Sequence, residues 1–274
     1  MMNKFIFFAM LLWMTVGLTT SCSDDETPVI IDNQMVIVDK TDGMFYAINT
    51  TNGSFTPLDS ITFNGSALLG IRDIVYNPSD AKIYITTNGS NGGKLYVADP
   101  TTLVATLIND NANEDWDAVA ELLISNGKLL GTAYINEPEI DHGLIYFELN
   151  GTVSNTYDLV AGSISVDTDG GMGLAFGTAP NTLLIADEDY IFVSDLVGNV
   201  SDTVELTKVD FPPMGMYAYS ITSLERDDDG NLFGLTSEGH FVEIDIAAKT
   251  IRLIKELTGG NTYHGLTNIP ENIF

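Results

Sequence analysis

From about residue 34 onward, apolar residues come in short runs rich in Val, Ile, Leu, Tyr and Phe, each stopped by Gly, Asn, Asp or Pro. Helical periodicity never persists beyond a turn or two, so the pattern predicts strands throughout and an all-β domain. One short run recurs: Phe45-Tyr46-Ala47-Ile48-Asn49, Leu95-Tyr96-Val97-Ala98-Asp99, Ile145-Tyr146-Phe147-Glu148-Leu149, Ile191-Phe192-Val193-Ser194-Asp195 and Phe241-Val242-Glu243-Ile244-Asp245. Successive first residues lie 50, 50, 46 and 50 positions apart.

A strand is predicted before each copy, over 35–39, 82–87, 128–134, 182–187 and 231–236. Four of these are preceded by a further run ending in a turn, over 71–78, 118–126, 173–180 and 220–229, and a last strand follows the motif, as at 104–108 and 251–257. Four short antiparallel strands repeated every 45 to 50 residues are the signature of a β-propeller. Counting back from Phe45, the first strand of the first repeat would fall on residue 21, so that repeat lacks one. The terminal run Tyr263-His264-Gly265-Leu266-Thr267-Asn268-Ile269-Pro270 supplies the missing strand and closes the ring, which removes open sheet edges. The expected fold is therefore a five-bladed propeller over 34–274, with six blades, one degenerate, as the alternative. The repeats resemble the broad NHL and quinoprotein-like class, lacking the Trp-Asp signature of WD40 blades and the double glycine of Kelch.

The N-terminus has a different pattern. Asn3 and Lys4 precede an apolar run over 5–18, too short to span a bilayer as a helix but suited to a signal peptide. Leu18-Thr19-Thr20-Ser21-Cys22 resembles the lipobox of Bacteroidota lipoproteins, and Ser23-Asp24-Asp25-Glu26 resembles their signal for export to the outer face of the outer membrane. The resemblance implies cleavage after residue 21, lipid on Cys22, an acidic tether over 22–33 and a domain held at the cell surface by acyl chains alone. The other reading is an ordinary secretory signal with a Cys beside its cleavage site. Cys22 is the only cysteine of the chain, so no disulfide or cysteine-rich zinc site can form within it.

Composition narrows the partners. Eleven Lys and Arg against 38 Asp and Glu give a formal charge of −27, which repels nucleic acid and anionic membrane over most of the surface. Among its 274 residues there is no Gly-x-Ser-x-Gly elbow, phosphate loop, His-Glu-x-x-His helix or dinucleotide fingerprint. No cofactor is expected. The acidic segments Asn113-Glu114-Asp115 with Asp117, Asp167 with Asp169, and Asp227-Asp228-Asp229-Gly230 leave Ca²⁺ open, although none forms the twelve-residue calcium loop and the last suits a hairpin turn.

A propeller ligand usually meets the face where the innermost strands begin. Aligning those strands by the strand after each places Arg72 and Asp73 level with Ala118 and Val119, Met172 and Gly173, Ile221 and Thr222, and His264 and Gly265. Arg72 and His264 then share one height on neighbouring blades beside Asp73, as a ligand site or as a structural ion pair. Trp116, Tyr217, Tyr219 and Tyr263 fall at the ends of the loops on that face, where aromatic rings beside carboxylates such as Asp117 either bind sugars or plug the channel. A glycosidase needs converging carboxylates. In this alignment Asp73 and Asp117 are two residues out of register and no ordered set is visible. The favoured function is a non-catalytic surface lipoprotein binding a glycan or a partner protein. A polysaccharide-acting glycosidase or lyase, and a structural subunit of an outer-membrane uptake complex, are the alternatives.

Overall fold

The computed structural model describes residues 33–88, 93–111, 116–137, 140–159, 173–211, 220–257 and 263–274, with the backbone alone at 117, 134–137 and 140–142. The expectations of a signal, a lipidated Cys22 and a tether fall on residues outside this set. The folded unit spans Asp32–Phe274.

It is a five-bladed β-propeller. From the channel outward, the first blade comprises Tyr263–Pro270, Asn33–Asp39, Met44–Ile48 and Phe55–Ser60. The second comprises Ile71–Asn77, Lys82–Thr87, Lys94–Asp99 and Val104–Asn109. Trp116–Ser125, Lys128–Glu137, Ile140–Phe147 and Val153–Asp158 make the third. Leu174–Phe176, Thr182–Asp187, Tyr190–Asp195 and Val200–Glu205 make the fourth. Ile221–Arg226, Leu232–Thr236, His240–Asp245 and Thr250–Glu256 make the fifth. The C-terminal strand pairs antiparallel with Asn33–Asp39 and so closes the ring.

The blades stack through five apolar seams. Val36 and Val38 pack with Ile71 and Ile74 of the second blade, whereas Met35 and Ile37, the alternate residues of the same strand, pack with Phe233, Leu235 and Phe241 of the fifth. A strand sandwiched between two blades must be apolar on both faces, which is why the sequence shows unbroken apolar runs rather than alternation. Burying both faces also gives each blade its stability, since a lone four-stranded sheet would leave one face wet.

The Asp or Asn that ends four copies of the recurring motif has a local job. Asn49, Asp99, Asp195 and Asp245 each accept a backbone N–H two or three residues ahead, from Thr51, Thr101, Val197 and Ala248, at 2.8 to 3.0 Å. These side-chain turns fold the hairpin to the outer strand. Outer edges of the second and fifth blades are covered by short parallel pairings, Thr62 with Val104 and Thr207–Val209 beside Thr250 to Arg252.

Four innermost strands carry an extra residue relative to their partner, and that of the third blade carries a second, between Trp116 and Ala118. Asp73 faces Thr86 after the register slips past Arg72; Glu121 faces Thr132 after Ala120; Ser223 faces Leu235 after Thr222; Leu266 faces Ile37 after Gly265. These β-bulges correct the alignment expected from the sequence: Asp73 is level with Glu121, Leu174, Ser223 and Leu266, not with Val119, Gly173, Thr222 and Gly265.

Candidate functional site: the channel and its mouth

In a five-bladed ring the innermost strands approach closely, and each has an edge whose N–H groups need acceptors inside the channel. Acidic side chains supply them. Asp73 Oδ2 accepts from Leu122 N at 2.6 Å, joining the second blade to the third. Glu121 Oε1 accepts from Leu224 N at 2.8 Å, so the third blade is tied to the fifth. Glu225 Oε1 accepts from the N of its neighbour Arg226 at 2.9 Å. Thr267 Oγ1 accepts from Tyr76 N at 3.2 Å between the first and second.

Asp73 and Glu121 are closed from solvent, at 0% and 1% exposure. Burial pushes the Asp73 carboxyl well above the usual carboxylate range, against the pull of its bonds from Leu122 and Ile74 N–H. Burial followed by the charge of Asp73 raises Glu121. Glu225 is pushed up to about 8, again by burial. A neutral carboxyl keeps a carbonyl oxygen to accept an N–H without the cost of a buried charge. An ordered carboxylate set therefore lines the channel, contrary to the sequence-based alignment; it was hidden by the bulges, which shift Glu121 onto the level of Asp73. The chemical signal was present: Ala120-Glu121-Leu122 and Leu224-Glu225-Arg226 each hold a lone acid within an apolar inner strand. Asp73 and Glu121 act as braces between strands.

The mouth where the strands begin is different. Val38 pairs with His264 and Asp39 with Tyr263, which places Lys40 just past the start of the closing strand. Lys40 O accepts from Gly70 N at 2.8 Å, and Gly70 O from Asn88 N at 2.8 Å, so the same backbone knot holds the entry to Arg72. Gly265, at φ +59°, lets the closing strand press onto the second blade; a Cβ there would lie 2.8 Å from Ile74 N. The result gathers Lys40, Arg72 and His264. Lys40 Nζ lies 3.2 Å from His264 Nε2, and burial together with the neighbouring Arg72 charge lowers the Lys40 ammonium below its usual range. Lys40 was not singled out from the sequence, where it is one hairpin residue among many.

The aromatic candidates divide. Tyr263 is 6% exposed and meets Tyr46 edge-on at 5.8 Å and Phe55 at 5.4 Å. Trp116 is 2% exposed and packs edge-on against Phe147 at 5.5 Å, between the second and third blades. Its ring faces the core. Tyr217 and Tyr219 lie outside the described residues, as does the side chain of Asp117.

At the opposite end, a cavity of about 400 Å³ opens between the fourth and fifth blades beside Leu184, Arg226, Leu232 and Ile244. Arg226 is held there by the carbonyls of Phe176 and Gly230. The Asp227 carboxylate accepts from Asn231 N and Nδ2 at 2.8 and 2.9 Å, which is turn chemistry. Among the described residues no three of His, Cys, Asp and Glu gather into a group able to hold a metal.

No protein-family model matches the chain, and no curated protein matches its sequence. Solved structures do match in fold. A chain of a crystallised nidogen–laminin complex is 10% identical, with a TM-score of 0.52 over 86% of this chain and 98% of that one. A protein of unknown function from Bacteroides caccae is 10% identical, with a TM-score of 0.45 over 83% and 73%. The WD40 β-propeller domain of Doa1 is 11% identical, with a TM-score of 0.41 over 81% and 65%. At such identities the likeness concerns fold alone, and the fold of this chain is that of a β-propeller.

Proposed function

We propose that this protein is a lipid-anchored propeller at the bacterial cell surface that binds a glycan at the channel mouth without transforming it. The observation that carries the reading is the mouth itself, with Lys40, Arg72 and His264 gathered where the closing strand meets the second blade. A site on strands and tight turns of a rigid scaffold needs little ordering on binding. The channel acids below are bonded to backbone N–H groups, so they brace strands rather than flank a scissile bond. The lipobox-like run ending at Cys22 and the acids after it supply the address.

Binding is tested by a glycan array followed by calorimetry on the purified protein. An array without hits overturns it. The address is tested by fractionation: Cys22→Ala should leave the membrane pellet, and protease added to intact cells should degrade the wild type. Retention of Cys22→Ala in the membrane, or full protection from protease, overturns that half.

A further inference from the structure

The cavity of about 400 Å³ at the end of the ring opposite the mouth sits on the seam between the fourth and fifth blades. Its floor is apolar: Leu184, Leu232 and Ile244 belong to that seam, and Ile246 packs against it. Among the lining residues Arg226 is the one cation.

In this acidic chain cations often meet carboxylates, as Lys82, Lys128, Lys208 and Arg252 do. Arg226 makes no ion pair among the described residues. Its Nε donates to Phe176 O of the fourth blade at 3.0 Å and its Nη1 to Gly230 O of the fifth at 2.6 Å. Two neutral carbonyls thus fix the plane of the guanidinium without neutralising it. The turn that offers Gly230 O is itself fixed, since Gly230 N donates to Asp227 O at 3.0 Å and Gly230 takes a φ of +85°.

The acids nearby are engaged elsewhere. Asp227 spends both oxygens on Asn231, at 2.8 and 2.9 Å; Glu243 pairs with Arg252; Asp245 Oδ1 accepts from Ala248 N at 2.8 Å. Glu225, pushed up to about 8 by burial, carries its proton at neutral pH. A guanidinium has five N–H hydrogens and two are used here, so Nη1 keeps one and Nη2 keeps both, a fork that matches a carboxylate. Burial lowers Arg226 from its ordinary value, a cost that a bound carboxylate offsets.

We propose that this cavity binds a small monocarboxylate with an apolar body, its carboxylate on the Arg226 fork and its hydrocarbon part on the Leu184, Leu232, Ile244 and Ile246 floor. The site is separate from the mouth and does not rest on the glycan reading. Net charge and floor together select the class. A polyanion is repelled by a chain of −27 and by Glu243 and Asp245 in the cavity wall, whereas a bare anion gains nothing from the floor. A cavity of this size suits a body of about four to eight carbons.

The test is calorimetric titration of the purified protein with butanoate, hexanoate, octanoate and phenylacetate, each beside its primary amide, and with sodium sulfate. At least one acid should bind tenfold or more tighter than its amide, and affinity should rise roughly fourfold for each methylene that reaches the floor. Arg226→Gln should abolish the preference for the acid. Because Arg226 also ties two blades, a second variant keeps that clasp: Thr178→Glu, at an exposed lining residue, puts a negative charge beside the cavity. It should weaken the acid about tenfold and leave the amide and the melting temperature unchanged. Absence of binding by every acid, equal binding of acid and amide, sulfate as tight as the acids, or wild-type affinity in Thr178→Glu overturns the inference. None of these outcomes bears on the glycan array, which reads the mouth.

Discussion

One narrow channel contains two kinds of charge, and the ring treats them in opposite ways. Deep in the wall, Asp73, Glu121 and Glu225 are lifted out of the usual carboxylate range by burial, and Asp73 and Glu121 accept from N–H groups of other blades. At the mouth, Lys40 and Arg72 sit half-buried beside each other, with the Lys40 ammonium directed at a ring nitrogen. Asp73 and Glu121 join strands, and removing either should weaken the fold.

That contrast can be broken first at the acids. Asp73→Ala and Glu121→Ala should each lose about 3 kcal/mol in urea unfolding, because a buried N–H, of Leu122 or Leu224, is left without its acceptor and a gap remains. Asp73→Asn, which keeps a neutral carbonyl, should lose much less. Equal losses would mean that the ionised form is the brace.

At the bulge, Gly265→Ala should lose about 2 kcal/mol, since the new Cβ meets Ile74 N at 2.8 Å in a left-handed conformation. A neutral result there would detach the mouth geometry from the bulge.

The pH dependence follows from the raised acids. An unfolded Glu titrates near 4.3; Glu225 in the fold titrates at about 8. Between these values the folded state holds a proton that the unfolded state has lost, so this contribution is whole below the lower value and shrinks as pH rises toward the upper one. Stability should therefore fall with rising pH across that window, and Glu225→Gln should reduce the slope by up to about 1.4 kcal/mol per pH unit. Stability rising from pH 5 to 8, in wild type and variant alike, would refute neutral bracing.

The smallest effect belongs to the surface. Lys208→Met breaks the part-exposed pair with Asp189 and should cost less than about 1 kcal/mol. A larger loss would show that rim pairs, not channel acids, fasten the blades.

The comparison also shows where the sequence could be read. Blades were legible because two local signals coincide in each: a strand apolar on both faces, such as Lys82–Thr87, and an Asp or Asn that folds the next turn, such as Asp99. Closure was legible because Tyr263–Pro270 has strand character and the first repeat lacks its inner strand. Channel register was not legible. Inserting a residue at Arg72, Ala120, Thr222 and Gly265 leaves hydrophobic runs almost unchanged while moving every later side chain to the next level. Glu121 and Glu225 therefore went unnoticed, and Trp116 looked like a mouth residue although it belongs to a seam.

The chain by itself determined what depends on neighbours in sequence: strand, turn and repeat, because alternation of faces and side-chain turns act over a few residues. Only the closed ring decided what depends on residues far apart. It brought Lys40 to His264 across 224 positions and Asp73 to Leu122 across 49, and it excluded the water that would have kept those carboxyls ordinary. Burial and charge proximity are properties of the packed blades, and no local pattern encodes them.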